Sequence, residues 1–183
     1  MKARASINLT YSKNTPSKAI ICLAFLLSTG IYTLAQVSFR NPVIFADVPD
    51  MSMVRVGKTY YMSSTTMHMS PGVPIMKSTD LVNWKIINYA YDTLADVDAM
   101  NLNNGKSTYG RGSWASCIRY QHGTFYVSTF AQTTNKTYIY STTNIEKGPW
   151  KRMSFSPSYH DHSLFFDDDG NVYLIYGNGK LSI

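Results

Sequence analysis

The chain has 183 residues, 44% hydrophobic and 15% charged, which excludes a disordered or collagen-like polymer and leaves room for one domain of ordinary size. Seventeen Lys and Arg against 11 Asp and Glu give a formal charge of +6, a balance that would ordinarily point to nucleic acid or an anionic surface. The location of those charges removes that reading.

Residues 1–35 hold Lys2, Arg4, Lys13 and Lys18 and no acid, followed by an apolar run from Ala19 to Leu34 and small residues at Thr33 and Ala35. A basic segment, an apolar segment and a cleavable end make a signal peptide over 1–35, so the expected destination is secreted or periplasmic. The run is shorter than the roughly 20 residues that span a bilayer, and a retained membrane anchor is the competing reading. Cys22 lies inside the run, behind Ile21, which argues against a lipoprotein. Without those four basic residues, the 17 positive charges fall to 13 against the same 11 acids, and the remainder carries +2. No nucleic-acid partner is expected, and no membrane once the leader is removed. Cys117 is then the sole cysteine, so an intrachain disulfide and a Cys-based zinc cluster are both excluded.

From Gln36 onward the pattern is short β-branched and aromatic runs, such as Met53-Val54-Arg55-Val56, Thr59-Tyr60-Tyr61-Met62, Thr124-Phe125-Tyr126-Val127 and Val172-Tyr173-Leu174-Ile175. Gly57-Lys58, His122-Gly123 and Asp169-Gly170 separate them, residues suited to tight hairpins. The hairpins repeat. Gly57, Gly123 and Gly170 are each followed three positions later by Tyr60, Tyr126 and Tyr173, and preceded by Ser52, Ser116 and Ser163 at the strand starts. A second shared pattern runs from Ile75 to Trp84-Lys85 and from Ile139 to Trp150-Lys151. Units of about 40–50 residues with four strands each are propeller blades. Residues 50–87 make one blade, 113–153 a second and 160–183 the first half of a third. The segment from Asp92 to Gly112 is expected to be a long loop above one face. Trp84 and Trp150 are expected to fill space between blades. Propellers close with about four to eight blades, so the expectation is the front of a longer domain.

Few acids are available for chemistry. Asp50 and Asp161 stand at matching starts of the first and third units, on innermost strands that surround the axis. Two carboxylates facing one funnel suit a general base and a second acid that tunes charge, although an Asp ahead of a strand is equally a turn or capping residue. Asp167-Asp168-Asp169-Gly170 lacks the rest of a calcium loop and reads as a hairpin turn. His160 and His162 would share one strand face, without a third metal ligand nearby, and are read as packing or pocket lining. Glu146, the sole Glu, falls in a polar turn. No metal site is expected, and calcium is not supported by any ligand set.

Several ordered motifs resemble glycoside hydrolase family 43: Asn41-Pro42-Val43-Ile44, Pro49-Asp50-Met51-Ser52, Val56 to Met62, Lys77 to Trp84, Ser113-Trp114-Ala115-Ser116 and Asp161 to Gly170. The resemblance covers about residues 39–183. It implies an all-β, five-bladed β-propeller, present here as about two and a half blades, with residues 36–183 forming the N-terminal part of the catalytic domain. It implies a secreted enzyme that hydrolyses arabinan, xylan or arabinoxylan with inversion. Asp50 would be the general base, and Asp161 would set the pKa of the catalytic acid and orient it. Trp114, Ala115 and His68 would contact the sugar. The residue after the base is Met51 where the family has Pro. The family's acid, a Glu on the fourth blade, has no counterpart in Glu146, so the chain alone is expected to be impaired. A non-catalytic carbohydrate-binding propeller fragment is the alternative.

Overall fold

The computed structural model describes residues 39–183, so the expected signal peptide at 1–35 lies outside the described residues. Four antiparallel strands follow one another: β1 (Ser52–Val56), β2 (Thr59–Ser63), β3 (Gly72–Ser78) and β4 (Lys85–Tyr91). A second sheet repeats the order with β5 (Cys117–Gln121), β6 (Thr124–Ala131), β7 (Lys136–Thr142) and β8 (Lys151–Phe155). A two-stranded hairpin, β9 (Ser163–Phe166) with β10 (Val172–Ile175), makes the third unit.

Turn chemistry sets the register of these sheets. His122 and Gly123 both take positive φ, 46° and 80°, the combination a two-residue type I′ hairpin needs, and Tyr120 comes to face Phe125. Gly57 takes φ 61° between Val56 and Thr59. In the third unit Asp167 N–H donates to Asn171 O at 3.0 Å and Gly170 N–H to Asp167 O at 3.2 Å, so the acidic run closes a hairpin as expected. The shared segment after β3 is also a turn. The Asp80 carboxylate accepts from the Asn83 side chain and from the Asn83 and Val82 N–H groups. Those bonds, with that from Ser78, hold its carboxyl well below the usual carboxylate range.

The apolar core lies between the first two sheets. Val73, Ile75, Ala90 and Leu94 meet Ile118, Val127, Tyr138 and Tyr140, with Trp150 packed against the cluster. Trp150 therefore fills inter-blade space. Trp84 is half-buried and donates its Nε1–H to Leu81 O at 2.9 Å within its own turn.

The innermost strands stand side by side, β1 against β5 and β5 against β9. Polar ties lock them. The Ile118 N–H donates to Ser52 Oγ at 3.2 Å. Arg119 spans to the next blade, with Nε donating to Leu164 O at 3.0 Å and an Nη to Ser163 Oγ at 2.6 Å. Among the described residues no helix is long and apolar enough to cross a membrane.

Candidate active site

The strand registers define equivalent positions in the three units. Ser52 pairs with Ser63, Cys117 with Ser128 and Ser163 with Ile175, so Ser52, Cys117 and Ser163 open β1, β5 and β9. Cys117, not Ser116, is thus the counterpart of the two serines. Ser116, expected at the strand start, lies one residue ahead of it, since β5 begins at Cys117. Two residues ahead of these strand starts stand Asp50, Ala115 and Asp161. One residue further back stand Pro49, Trp114 and His160.

The same device anchors each lead-in. Ser64 Oγ donates to Pro49 O at 2.6 Å, Thr129 Oγ1 to Trp114 O at 2.9 Å, and Gly177 N–H to His160 O at 3.2 Å. A carbonyl pinned to the end of the neighbouring strand region fixes where the next residue turns. Asp50 and Asp161 then share a left-handed backbone, φ 48° and 46°. Aspartate adopts that conformation more readily than most residues because its short side chain bonds locally. Both acids are exposed, and the Asp161 side chain keeps 55% of its surface open.

His68, Trp114, His160 and Asp161 come together in a chain of contacts. Met67 and Ser113 form a bridge, and the Ser113 N–H donates to Met67 O at 2.9 Å. At Gly112 a Cβ would sit 1.9 Å from Met67 O, so only glycine lets these two segments approach. The Gly110 N–H then donates to His68 Nδ1 at 3.3 Å, and Trp114 Nε1–H donates to Gly110 O at 3.0 Å. The Trp114 ring meets Phe130 and His160 edge-on, each at 5.7 Å between centroids. His160 Nδ1 lies 3.1 Å from Asp161 Oδ2. The first blade joins through Ser116, whose Oγ is 2.9 Å from Ser63 Oγ and 3.3 Å from Ser64 O, beside the anchor of Pro49.

The two histidines differ from their sequence reading. Both precede β9 rather than lying in it, and they do not share a strand face. His160 is partly open beside Asp161. His162 is buried, and its Nδ1–H donates to Tyr159 O at 2.9 Å. Burial lowers its pKa, against the opposing pull of the Tyr159 carbonyl and the Asp161 charge. Glu146 pairs with Lys77, between β3 and the segment after β7, and so belongs to the blade interface. Among the described residues no three of His, Cys, Asp and Glu gather as a metal site would require. A cleft of about 650 Å³ among the described residues is lined by Leu94, Asp96, Tyr138 and Arg152 and contains none of the expected site residues.

Sequence reading missed Tyr109, an aromatic residue 80% exposed whose ring lies 4.5 Å from that of His68. The signal available was slight: one Tyr at the end of an Asn- and Gly-rich loop.

The described residues form part of a β-propeller, with Asp50 and Asp161 each two residues ahead of an inner strand. Residues 39–182 match the model of glycosyl hydrolases family 43, and the chain belongs to that family. It is 32% identical to a β-xylosidase of Formosa agariphila over 75% of this chain and 24% of that protein. It is likewise 32% identical to a non-reducing end α-L-arabinofuranosidase of Bacteroides ovatus, over 84% of this chain and 30% of that protein. Among solved structures, the bifunctional GH43-CE protein of Bacteroides eggerthii shares 76% identity with a TM-score of 0.75, over 77% of this chain and 18% of that one. The chain thus spans 24% and 30% of the length of these two curated relatives.

Proposed function

We propose that the protein hydrolyses glycosidic bonds of a xylan- or arabinan-type plant polysaccharide with inversion, outside the cytoplasm. The observation that carries this reading is the shared place of Asp50 and Asp161, each two residues ahead of an inner strand and each with a left-handed φ. Asp50 is exposed and takes a proton from the attacking water. Asp161, with His160 Nδ1 3.1 Å from its Oδ2, sets the charge felt by the proton donor and orients it. In an inverting enzyme base and acid stand about 6.5–9.5 Å apart, room for that water between them. Ala115 occupies the matching position in the middle blade, where its methyl leaves space for a sugar ring. Trp114 and His68 form the wall beside it.

The β-xylosidase and α-L-arabinofuranosidase relatives support a pentose-containing substrate. The basic and apolar leader over 1–35 supports export. Glu146 is engaged by Lys77 and does not serve as proton donor.

The test is the anomer released first. Xylobiose and an arabino-oligosaccharide are incubated with the full protein and followed by proton NMR. Inversion at the anomeric carbon is expected. Retention, or failure to cleave either sugar, contradicts the reading.

A further inference from the structure

We propose that Tyr109 is the stacking platform of an outer subsite, which holds a xylopyranosyl unit of the substrate beyond the bond to be cut. This rests on the reading of the site just given.

Tyr109 belongs to the loop between β4 and β5, and that loop is tied down around it. The Arg111 N–H donates to Thr108 O at 2.7 Å, closing a turn across Tyr109 and Gly110. Gly110, at φ 68°, donates its N–H to His68 and accepts from the Trp114 indole. Thr133 Oγ1 donates to Arg111 O at 2.7 Å, fastening the next residue to the second blade. One side of the Tyr109 ring leans on the His68 imidazole, the planes tilted by 41°. Most of the residue is nevertheless open to solvent. A large aromatic on a fastened loop, leaning on His68 and 80% exposed among the described residues, offers apolar surface to a ligand.

Its position gives the surface a use. Tyr109 reaches Asp161 through Trp114 and His160, the chain of contacts described above. A ligand unit lying on it would rest beside the His68 side of that chain of contacts, with Asp161 at the other end.

The chemistry of the ring selects the sugar. The π-face carries partial negative charge and attracts polarised C–H groups. A β-xylopyranose ring has every hydroxyl equatorial, so both its faces are flat arrays of axial C–H bonds. An arabinofuranose ring is smaller and puckered and offers no such face. The platform thus favours a xylan backbone over an arabinan one.

The experiment uses the full protein with xylotetraose, an arabinotetraose and a short aryl β-xyloside, comparing Tyr109→Ala and Tyr109→Phe with wild type. Tyr109→Ala is expected to raise KM for xylotetraose by about tenfold with little change in kcat, the scale of one lost aromatic contact. The effect on the aryl xyloside and on arabinotetraose is expected to stay within about twofold. Tyr109→Phe keeps the ring and restores the wild-type KM. Equal changes on all three substrates, no change on any, or a Phe variant as impaired as the Ala variant would overturn the proposal. If wild type cleaves xylosides and Tyr109→Ala is silent, this subsite alone is wrong. If wild type cleaves no glycoside, the reading of the active site falls and the subsite with it.

Discussion

The Trp114 indole meets the His160 imidazole edge-on, their ring centroids 5.7 Å apart. The contact ties the lead-in of β5 to that of β9, and through His160 Nδ1 it reaches the Asp161 carboxylate. Trp114 is also bonded to the β4–β5 loop through Gly110. One side chain therefore links the lead-ins of β5 and β9, the β4–β5 loop and the Asp161 carboxylate.

Replacing it separates those links. Trp114→Phe loses the indole N–H bond to Gly110 but keeps an aromatic edge, and is expected to cost about 0.5–1.5 kcal/mol of stability. Trp114→Ala also removes the packing on Phe130 and His160 and leaves Asp161 less well braced. Its kcat is expected to fall well below that of Trp114→Phe. Steady-state kinetics beside equilibrium unfolding of both variants checks this. Equal kcat values would show that the ring does not hold the carboxylate.

Arg119 is the matching tie between inner strands. Its guanidinium reaches Leu164 O and Ser163 Oγ in the third unit and Ile118 O in its own strand. A lysine cannot reproduce a planar fork of donors. Arg119→Lys is expected to destabilise by about 1.5–3 kcal/mol, the scale of hydrogen bonds made by a charged group. Urea unfolding at fixed pH measures it.

His162 makes stability depend on pH. Its folded pKa is lowered from 6.5, chiefly by burial, so the unfolded chain takes up a proton first as the pH falls. The stabilisation from burying the neutral ring is complete above pH 6.5 and declines as the pH falls below that value toward the folded pKa. His162→Asn keeps a donor near the Nδ1 position for Tyr159 O and does not titrate. Urea midpoints at about pH 5.5 and 7.5, on either side of an ordinary imidazole pKa, should differ in wild type and converge in the variant. Parallel pH dependence in both proteins would assign the effect to another group.

Much of this architecture was legible in the sequence because hairpin turns have a local chemistry. Gly57-Lys58 and His122-Gly123 fix a two-residue reversal whatever surrounds them, and their spacing exposed the repeat of blades. The matching of Asp50 with Asp161 was legible for the same reason. What local chemistry could not give was contact across segments. His68 meets Gly110 and Trp114 meets His160 over separations of 42 and 46 residues in the chain, through packing that no spacing encodes. His160 and His162 were misread as strand neighbours because β9 begins only at Ser163, after the backbone has turned at Asp161. Tyr109 carried only the slight signal of one Tyr at the end of an Asn- and Gly-rich loop. Its orientation depends on a loop held from three sides.

Asp50 is the proposed base. Asparagine adopts the left-handed backbone that Asp50 requires, and the side chain is exposed, so Asp50→Asn should keep the fold. A carboxamide cannot accept the proton of the attacking water. The most direct measurement is kcat for the full protein and its Asp50→Asn variant on one xyloside, with a thermal melt of each. A fall of about 10²–10⁴-fold with an unchanged melt is the expected result. A variant that folds and hydrolyses within a few-fold of wild type would contradict the account.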